Sequence, residues 1–246
     1  MSLIKTKSYE LATYERGDLN AAKLAIVLPG RLESKDYVHI RSHVDTLATL
    51  GFHAVAFDPP GSWESPGTIE AYTVTNYLGA VNELIEHYGT KPTILVGHSL
   101  GGSIATLAGA SNPHVSTYIA MMSLVSGPGT TEDLEWKADG KLTFYRNLPP
   151  GDYHTDEQKR YDLPYSFFED ALTHDTKTAL QTCHKLKLFI LGKRDTQNAS
   201  SYPPEEYALI AEPKQLVEID SGHSYRYSPV LIDQVNALIQ KFVLQL

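Results

Sequence analysis

The sequence predicts an α/β protein: a mostly parallel central sheet with helices on both faces and a small insertion that caps it. Three observations predict it. Short apolar runs at residues 24–28, 52–57, 93–96, 117–125, 186–191 and 215–219 alternate with helical periodicities near 36–50, 68–88, 100–110, 203–211 and 229–245. Strands separated by helices are joined by crossovers, which makes their pairing parallel. The run Thr93-Ile94-Leu95-Val96 leads through Gly97-His98-Ser99-Leu100-Gly101 directly into the small-residue stretch Gly102–Ala108, a sharp strand-to-helix turn. Finally, 246 residues without internal repeat, low-complexity tract or linker suit one domain large enough to bury a sizeable core.

The elements follow in order. Residues 6–15 are expected to add an antiparallel edge. Leu24–Leu28 is a strand, followed by the loop Pro29-Gly30-Arg31-Leu32. On the helix 36–50, His39 and His43 share a face at i, i+4 spacing, which suits a metal pair; no third ligand is evident nearby, so both are expected to face solvent. Asp58 ends the strand 52–57 and is expected to order the loop that runs to Ser65. After the strand 117–125 comes an aromatic-rich segment, 127–185, read as a small cap inserted into a core formed by 1–126 and 186–246. Within it, Leu134–Tyr145 is expected to form a β-hairpin around Asp139-Gly140, and Glu169–Leu180 a helix. Leu186–Leu191 is a buried strand and Gly192-Lys193-Arg194-Asp195 its loop. Leu216–Ile219 is a strand, Asp220–Ser224 a loop, and the last helix starts with Ser228 as N-cap and Pro229 at its first position.

Chemistry concentrates at the first turn. A Ser on a strained strand-to-helix turn has its hydroxyl pushed out of the sheet, toward the positive end of the following helix. A hydroxyl is a poor nucleophile until a base takes its proton, and the base needs an orienting acid. Ser99 is therefore the candidate nucleophile. His223, on a loop beyond a strand end, is the candidate base; His98 lies inside the turn, and His114, His154, His174 and His184 read as surface residues. Asp195 is the leading acid, against the bland alternative that it caps a turn or pairs with Lys193 or Arg194. Asp133 is the alternative acid; Asp220 is too near His223 in sequence to reach its far nitrogen. The backbone N–H groups of Leu100 and Arg31 are the expected oxyanion donors. The Arg31 side chain could hold a substrate carboxylate, but pairing with Glu33 or Asp36 at the surface is the favoured reading.

With those residues in place, the chain resembles the α/β-hydrolase family over nearly all of its length. Gly97-His98-Ser99-Leu100-Gly101-Gly102 looks like the nucleophile elbow of its esterases and lipases. Pro29-Gly30-Arg31 occupies the place of the family's His-Gly oxyanion turn, with Pro29 where His is usual. Asp58-Pro59-Pro60-Gly61-Ser62-Trp63-Glu64-Ser65 is similar to its D-x-P-G-x-G-x-S loop, with Trp63 replacing the second Gly. The loops ending in Asp195 and His223 resemble its acid and base loops. The resemblance implies the α/β-hydrolase fold and a Ser-Asp-His hydrolase that needs neither metal nor organic cofactor. The short cap is similar to that of small-acyl esterases and thioesterases, feruloyl-esterase-like members included, and unlike the large helical lid of lipases. Trp63, Trp136, Phe144 and Tyr165 are the expected substrate contacts.

Composition narrows the setting. A formal net charge of −8 without a basic cluster argues against nucleic acid as partner. One cysteine, Cys183, allows no intrachain disulfide and reads as a partly buried structural residue. With no recognisable signal peptide and no long apolar stretch, the expectation is a cytoplasmic protein, monomer or homodimer, that does not bind membranes. The expected partner is a small-molecule ester or thioester. Acyl transfer, C–C hydrolysis or peptidase action by the same three residues remain alternatives, as does a non-catalytic binding protein of this fold. A Ser nucleophile, in place of Asp, argues against haloalkane dehalogenase or epoxide hydrolase chemistry.

Overall fold

A computed structural model describes residues 2–123, 132–196 and 207–246, with only the backbone of 132–135. The strands are β1 Ser2–Lys5, β2 Glu10–Arg16, β3 Leu24–Leu28, β4 His53–Phe57, β5 Thr93–His98, β6 Val115–Met121, β7 Lys141–Asn147, β8 Gln158–Pro164, β9 Lys187–Gly192 and β10 Lys214–Ile219. The helices are α1 Val38–Thr49, α2 Val74–His87, α3 Leu100–Ser111, α4 Glu132–Asp139, α5 Ser166–Leu172, α6 Thr176–Thr182 and α7 Pro229–Val243.

Eight strands form one sheet in the order β1-β2-β4-β3-β5-β6-β9-β10. From β4 to β10 the pairing is parallel, while β1 and β2 are antiparallel. Every residue of β3, β4 and β5 is buried, as expected for strands with helices on both faces. Their period-2 alternation sorts the side chains into two cores. Leu24, Ile26, Leu28, Val55 and Phe57 pack with Val81, Leu84 and Ile104 of α2 and α3. Ala25, Val27, Ala54 and Ala56 pack with Val44 and Leu47 of α1 and with Ile232, Val235 and Ile239 of α7.

Several elements differ from expectation for local reasons. The edge expected over 6–15 is a hairpin, because Thr6 N–H donates to the Tyr9 carbonyl at 2.8 Å and turns the chain between β1 and β2. The helix expected over 68–88 begins at Val74: a single 3₁₀ turn, Ile69–Ala71, precedes it, and Thr73 Oγ1 caps α2 by accepting from Asn76 N–H at 3.0 Å. The hairpin expected around Asp139-Gly140 is not formed there. Glu132–Asp139 is helical, and Gly140, at φ +70°, ends that helix in the left-handed conformation that suits glycine. Lys141–Asn147 instead pairs antiparallel with Gln158–Pro164, Phe144 facing Tyr161. The helix expected over 169–180 is two short ones, α5 and α6, separated where Asp175 caps α6 by accepting from Thr178 N–H at 2.9 Å. Of the strand expected over 117–125, residues 124 and 125 lie outside the described residues, as do 203–206 of the helix expected over 203–211. Cys183 is buried, 5% exposed.

The loops that follow β3, β5, β9 and β10 all leave the carboxyl ends of parallel strands, so they meet at one edge of the sheet.

Removing the α2 cap should be measurable. Thr73→Ala is expected to cost about 1 kcal/mol, lowering Tm by about 2–4 °C, read by thermal circular dichroism.

Candidate active site

The elbow is shaped by what has no room. A Cβ on Gly97 would lie 2.1 Å from the Gly101 carbonyl oxygen, and one on Gly101 would lie 2.1 Å from that of Leu28. Only glycines let α3 come this close to β3 and β5. Ser99, between β5 and α3, has φ 52° and ψ −118°, a left-handed conformation that costs a non-glycine residue about 1–3 kcal/mol. Its N–H donates to the Met121 carbonyl at 2.8 Å and its carbonyl accepts from Gly102 N–H at 2.9 Å, which holds it there.

Two other loops reach this hydroxyl. His223 Nε2 lies 3.0 Å from Ser99 Oγ, and His223 Nδ1 lies 2.9 Å from Asp195 Oδ2. Asp195 is 3% exposed. The loops after β9 and β10 are stitched together: Lys193 N–H donates to the Ile219 carbonyl and Arg194 N–H to the Ser221 carbonyl, each at 2.9 Å. The Arg194 guanidinium binds Asp220 at 2.7 Å. The side chain of Asp133 lies outside the described residues. Asp58, buried, accepts from Ser34 Oγ and from the N–H groups of Lys35 and Glu64, and so binds the loop after β3 to its own.

The loop after β3 is anchored on both sides of Arg31. Gly30 N–H donates to Glu33 Oε2 at 2.9 Å, and Leu32 N–H to Tyr72 Oη at 2.7 Å. The Arg31 carbonyl accepts from Arg146 Nε and Nη2 at 3.2 and 3.0 Å. Leu100 opens α3, where the first N–H groups of a helix have no partner within it. For the Arg31 side chain the expectation was surface pairing with Glu33 or Asp36, and both acids have other ion partners. Glu33 is buried against Arg226, His98 and His39, and Asp36 binds Lys35. The Arg31 guanidinium lies over the rings of Phe144 and Phe167, at 5.6 and 5.9 Å.

The four expected aromatic contacts fall into two groups. Trp136 is buried, stacks on Phe167, and packs against Phe144, Tyr165 and Phe168. Phe144 and Tyr165 are half-buried. Trp63 stands apart: its indole N–H donates to the Leu32 carbonyl at 3.0 Å and its ring meets Tyr37 and Tyr161 edge-on. Its φ of 48° is a conformation glycine adopts readily, which accounts for a Gly at this place in the resembling motif.

His39 and His43 are the clearest departure. Both are fully buried, because α1 turns this face into the core beneath the elbow. Burial pushes His39 down to about 4 and His43 to about 3, so both are neutral near pH 7. His43 donates from Nδ1 to Asn236 Oδ1 at 2.6 Å and accepts at Nε2 from Tyr225 Oη at 2.7 Å. His39 Nε2 lies 3.4 Å from Glu33 Oε2, and neither of its nitrogens makes an aligned hydrogen bond. Glu33, His39 and His98 bring three potential metal ligands within 4.8 Å of one another. Two ligands on a tetrahedral zinc at about 2.0–2.1 Å stand about 3.3 Å apart, whereas His98 Nδ1 and Glu33 Oε2 are 2.8 Å apart, a hydrogen-bond separation. Sequence reasoning missed this group; its one signal was a charged residue, Glu33, in the loop after β3.

The family whose sequence model is described as alpha/beta hydrolase fold matches residues 25–222, and the chain belongs to that family. The chain is 27% identical over 162 residues to the mitochondrial palmitoyl-protein thioesterase ABHD10 of Mus musculus, covering 61% of this chain and 50% of that protein. It thus spans about half the length of the curated relatives it matches. Among solved structures, Est1E from Butyrivibrio proteoclasticus with ferulic acid bound superposes with TM-score 0.73 at 18% identity, covering 100% of this chain and 98% of that one. The mouse ABHD10 structure superposes with TM-score 0.70 at 20% identity, covering 98% of each chain. These superpositions show a shared fold.

The buried histidines set an acid limit on stability. Folding holds them neutral, while in the unfolded chain they protonate near 6.5. Their contribution is therefore complete above pH 6.5 and is lost as pH falls toward 4 for His39 and toward 3 for His43. Tm is expected to fall across that window, and His43→Gln to flatten the fall relative to wild type. Parallel Tm–pH curves for the two proteins would contradict this.

Proposed function

We propose that this chain is a serine hydrolase that cleaves a carboxylic ester or thioester through an acyl-enzyme. The observation that carries the reading is the unbroken series Ser99 Oγ, His223 Nε2, His223 Nδ1, Asp195 Oδ2, linked at 3.0 and 2.9 Å. His223 takes the Ser99 proton as Oγ attacks the carbonyl carbon. Asp195 holds the imidazole tautomer and stabilises the imidazolium that forms. The amides of Leu100 and Arg31 receive the developing oxyanion, with the N-terminus of α3 adding a favourable field. The alcohol or thiol departs with the proton from His223. Water, activated by the same imidazole, then frees the acid. Family membership supports the class of reaction, and the thioesterase relative together with the structural neighbour that holds ferulic acid favours an acyl ester or thioester.

In this reading residues 127–185 serve as the cap. Phe144 and Tyr165 line the acyl pocket with Trp63, and Trp136 acts from the interior by holding Phe144 and Tyr165. No described helix is long and apolar enough to cross a membrane. A single cysteine fits a reducing compartment, the cytoplasm or, as for the mitochondrial mouse relative, the mitochondrion.

The test is fluorophosphonate labelling with the modified residue located by mass spectrometry, followed by turnover of p-nitrophenyl esters and acyl-thioesters. Labelling confined to Ser99 is expected. Ser99→Ala should lose labelling and turnover with Tm nearly unchanged; full activity in that variant would sink the assignment. Asp195→Asn is expected to lower kcat by roughly 10⁴-fold, as loss of the tautomer-holding acid does in such triads.

A further inference from the structure

We infer that Glu33 is a positioning residue for acyl transfer: one buried carboxylate ties the loop of the oxyanion donor to the nucleophile elbow and, through His98, to the backbone of the base. This rests on the serine-hydrolase reading above.

The geometry converges on one side chain. Glu33 Oε2 accepts from Gly30 N–H at 2.9 Å, one residue before the proposed donor Arg31. The same oxygen accepts from His98 Nδ1 at 2.8 Å, one residue before Ser99. The other ring nitrogen, His98 Nε2, lies 3.0 Å from the carbonyl oxygen of His223 itself. Glu33 Oε1 accepts from Arg226 Nη1 at 2.9 Å, three residues beyond the base. Arg226 is fixed in turn by the Gly151 carbonyl at 3.1 Å and Tyr227 Oη at 2.6 Å. The loops after β3, β5 and β10 therefore meet at a carboxyl group that is only 5% exposed. Gly30 allows the contact: a Cβ there would lie 2.7 Å from Glu33 Oε2.

Such a hub acts through others. A buried, multiply bonded carboxylate resists displacement because breaking any one bond leaves a buried charge or donor unsatisfied. It therefore fixes the distance between the oxyanion site and Ser99 Oγ. Misplacement of a reacting geometry by about 1 Å is enough to cost about 100-fold in rate. Glutamine at this position keeps the volume but loses the charge, and its one carbonyl oxygen cannot serve Gly30 and His98 on one side and Arg226 on the other.

The experiment measures kcat and KM for p-nitrophenyl butyrate per active site titrated with fluorophosphonate, together with affinity for a trifluoromethyl ketone of matched chain length. For Glu33→Gln, kcat is expected to fall about 100-fold, with KM moving less than about threefold. Affinity for the ketone, a mimic of the tetrahedral intermediate, is expected to fall in parallel with kcat/KM. A purely structural Glu33 would lower Tm or the titrated fraction and leave kcat per site unchanged, which would overturn the inference. Should Glu33→Gln not fold, His98→Asn decides. It keeps a donor toward Glu33 and gives up the bond to the His223 carbonyl, so kcat is expected to fall about tenfold with KM unmoved. Wild-type kcat in that variant would overturn the inference equally. Absence of fluorophosphonate labelling in wild type would instead bring down the serine-hydrolase reading, so the two failures are distinct.

Discussion

The structure depends on how closely α3 approaches β3 and β5. Gly101 rests on the carbonyl of Leu28, and Gly97 faces the carbonyl of Gly101, with no space for a Cβ at either place. That approach forces the chain to turn within one residue, and Ser99 is that residue, at φ 52°. A serine in this conformation is strained, but the Met121 carbonyl of β6 accepts its N–H, and Gly102 N–H in the first turn of α3 donates to its carbonyl. The hydroxyl is thereby raised above the middle of the sheet. The loops after β3, β9 and β10 need only reach inward from their own strand ends to meet it.

Above this apolar scaffold buried charges hold the loops together with apolar packing, as of Leu32 and Tyr225. Asp58 gathers the amides of Lys35 and Glu64 with the hydroxyl of Ser34, while the Lys35 ammonium, almost fully buried, sits among Asp36, Asp58 and Glu64. Burial raises Asp58 to about 6 against the pull of Lys35, so it stays ionised near neutral pH. Glu33 is a second such group. Burial opposes its ionisation, yet the facing His98 ring, hydrogen-bonded to it, keeps its carboxyl well below the usual range. Directional, charge-assisted bonds fix loop geometry more tightly than apolar contacts of the same area, and they are costly to break singly. This division of labour suits a site whose frame must be stable and whose reacting atoms must be placed to within a fraction of an ångström.

Much of this was legible in the sequence. The alternation of apolar runs and helical periods led to the parallel sheet and the strand-loop order, because a chain that buries a strand on both faces must write it as a continuous apolar run. Ser99, Asp195 and His223 could be picked out from their places after strands, and the structure brings their side chains into contact. The segment between β6 and β9 was harder to read. Asp139-Gly140 signals a hairpin turn and a helix end with equal strength, and what settles it is the partner strand Gln158–Pro164, which sequence proximity cannot reveal. His39 and His43 were misplaced because a polar pair at i, i+4 reads as a solvated face wherever its burial depends on a distant element. Here those elements are Glu33, Tyr225 and Asn236.

By itself the sequence determined the fold class, the elbow and the loops that carry the candidate chemistry, since each is written in local pattern: period, glycine placement and strand-end position. Tertiary structure alone decided which charges are buried together. Glu33, His98, His223 and Arg226 come from the loop after β3, the end of β5 and the segment after β10, separated by most of the chain, and only the closing of the sheet brings their atoms within hydrogen-bond distance. Local pattern sets which backbone conformation a segment takes; the energy of a buried carboxylate depends on partners that no local pattern encodes.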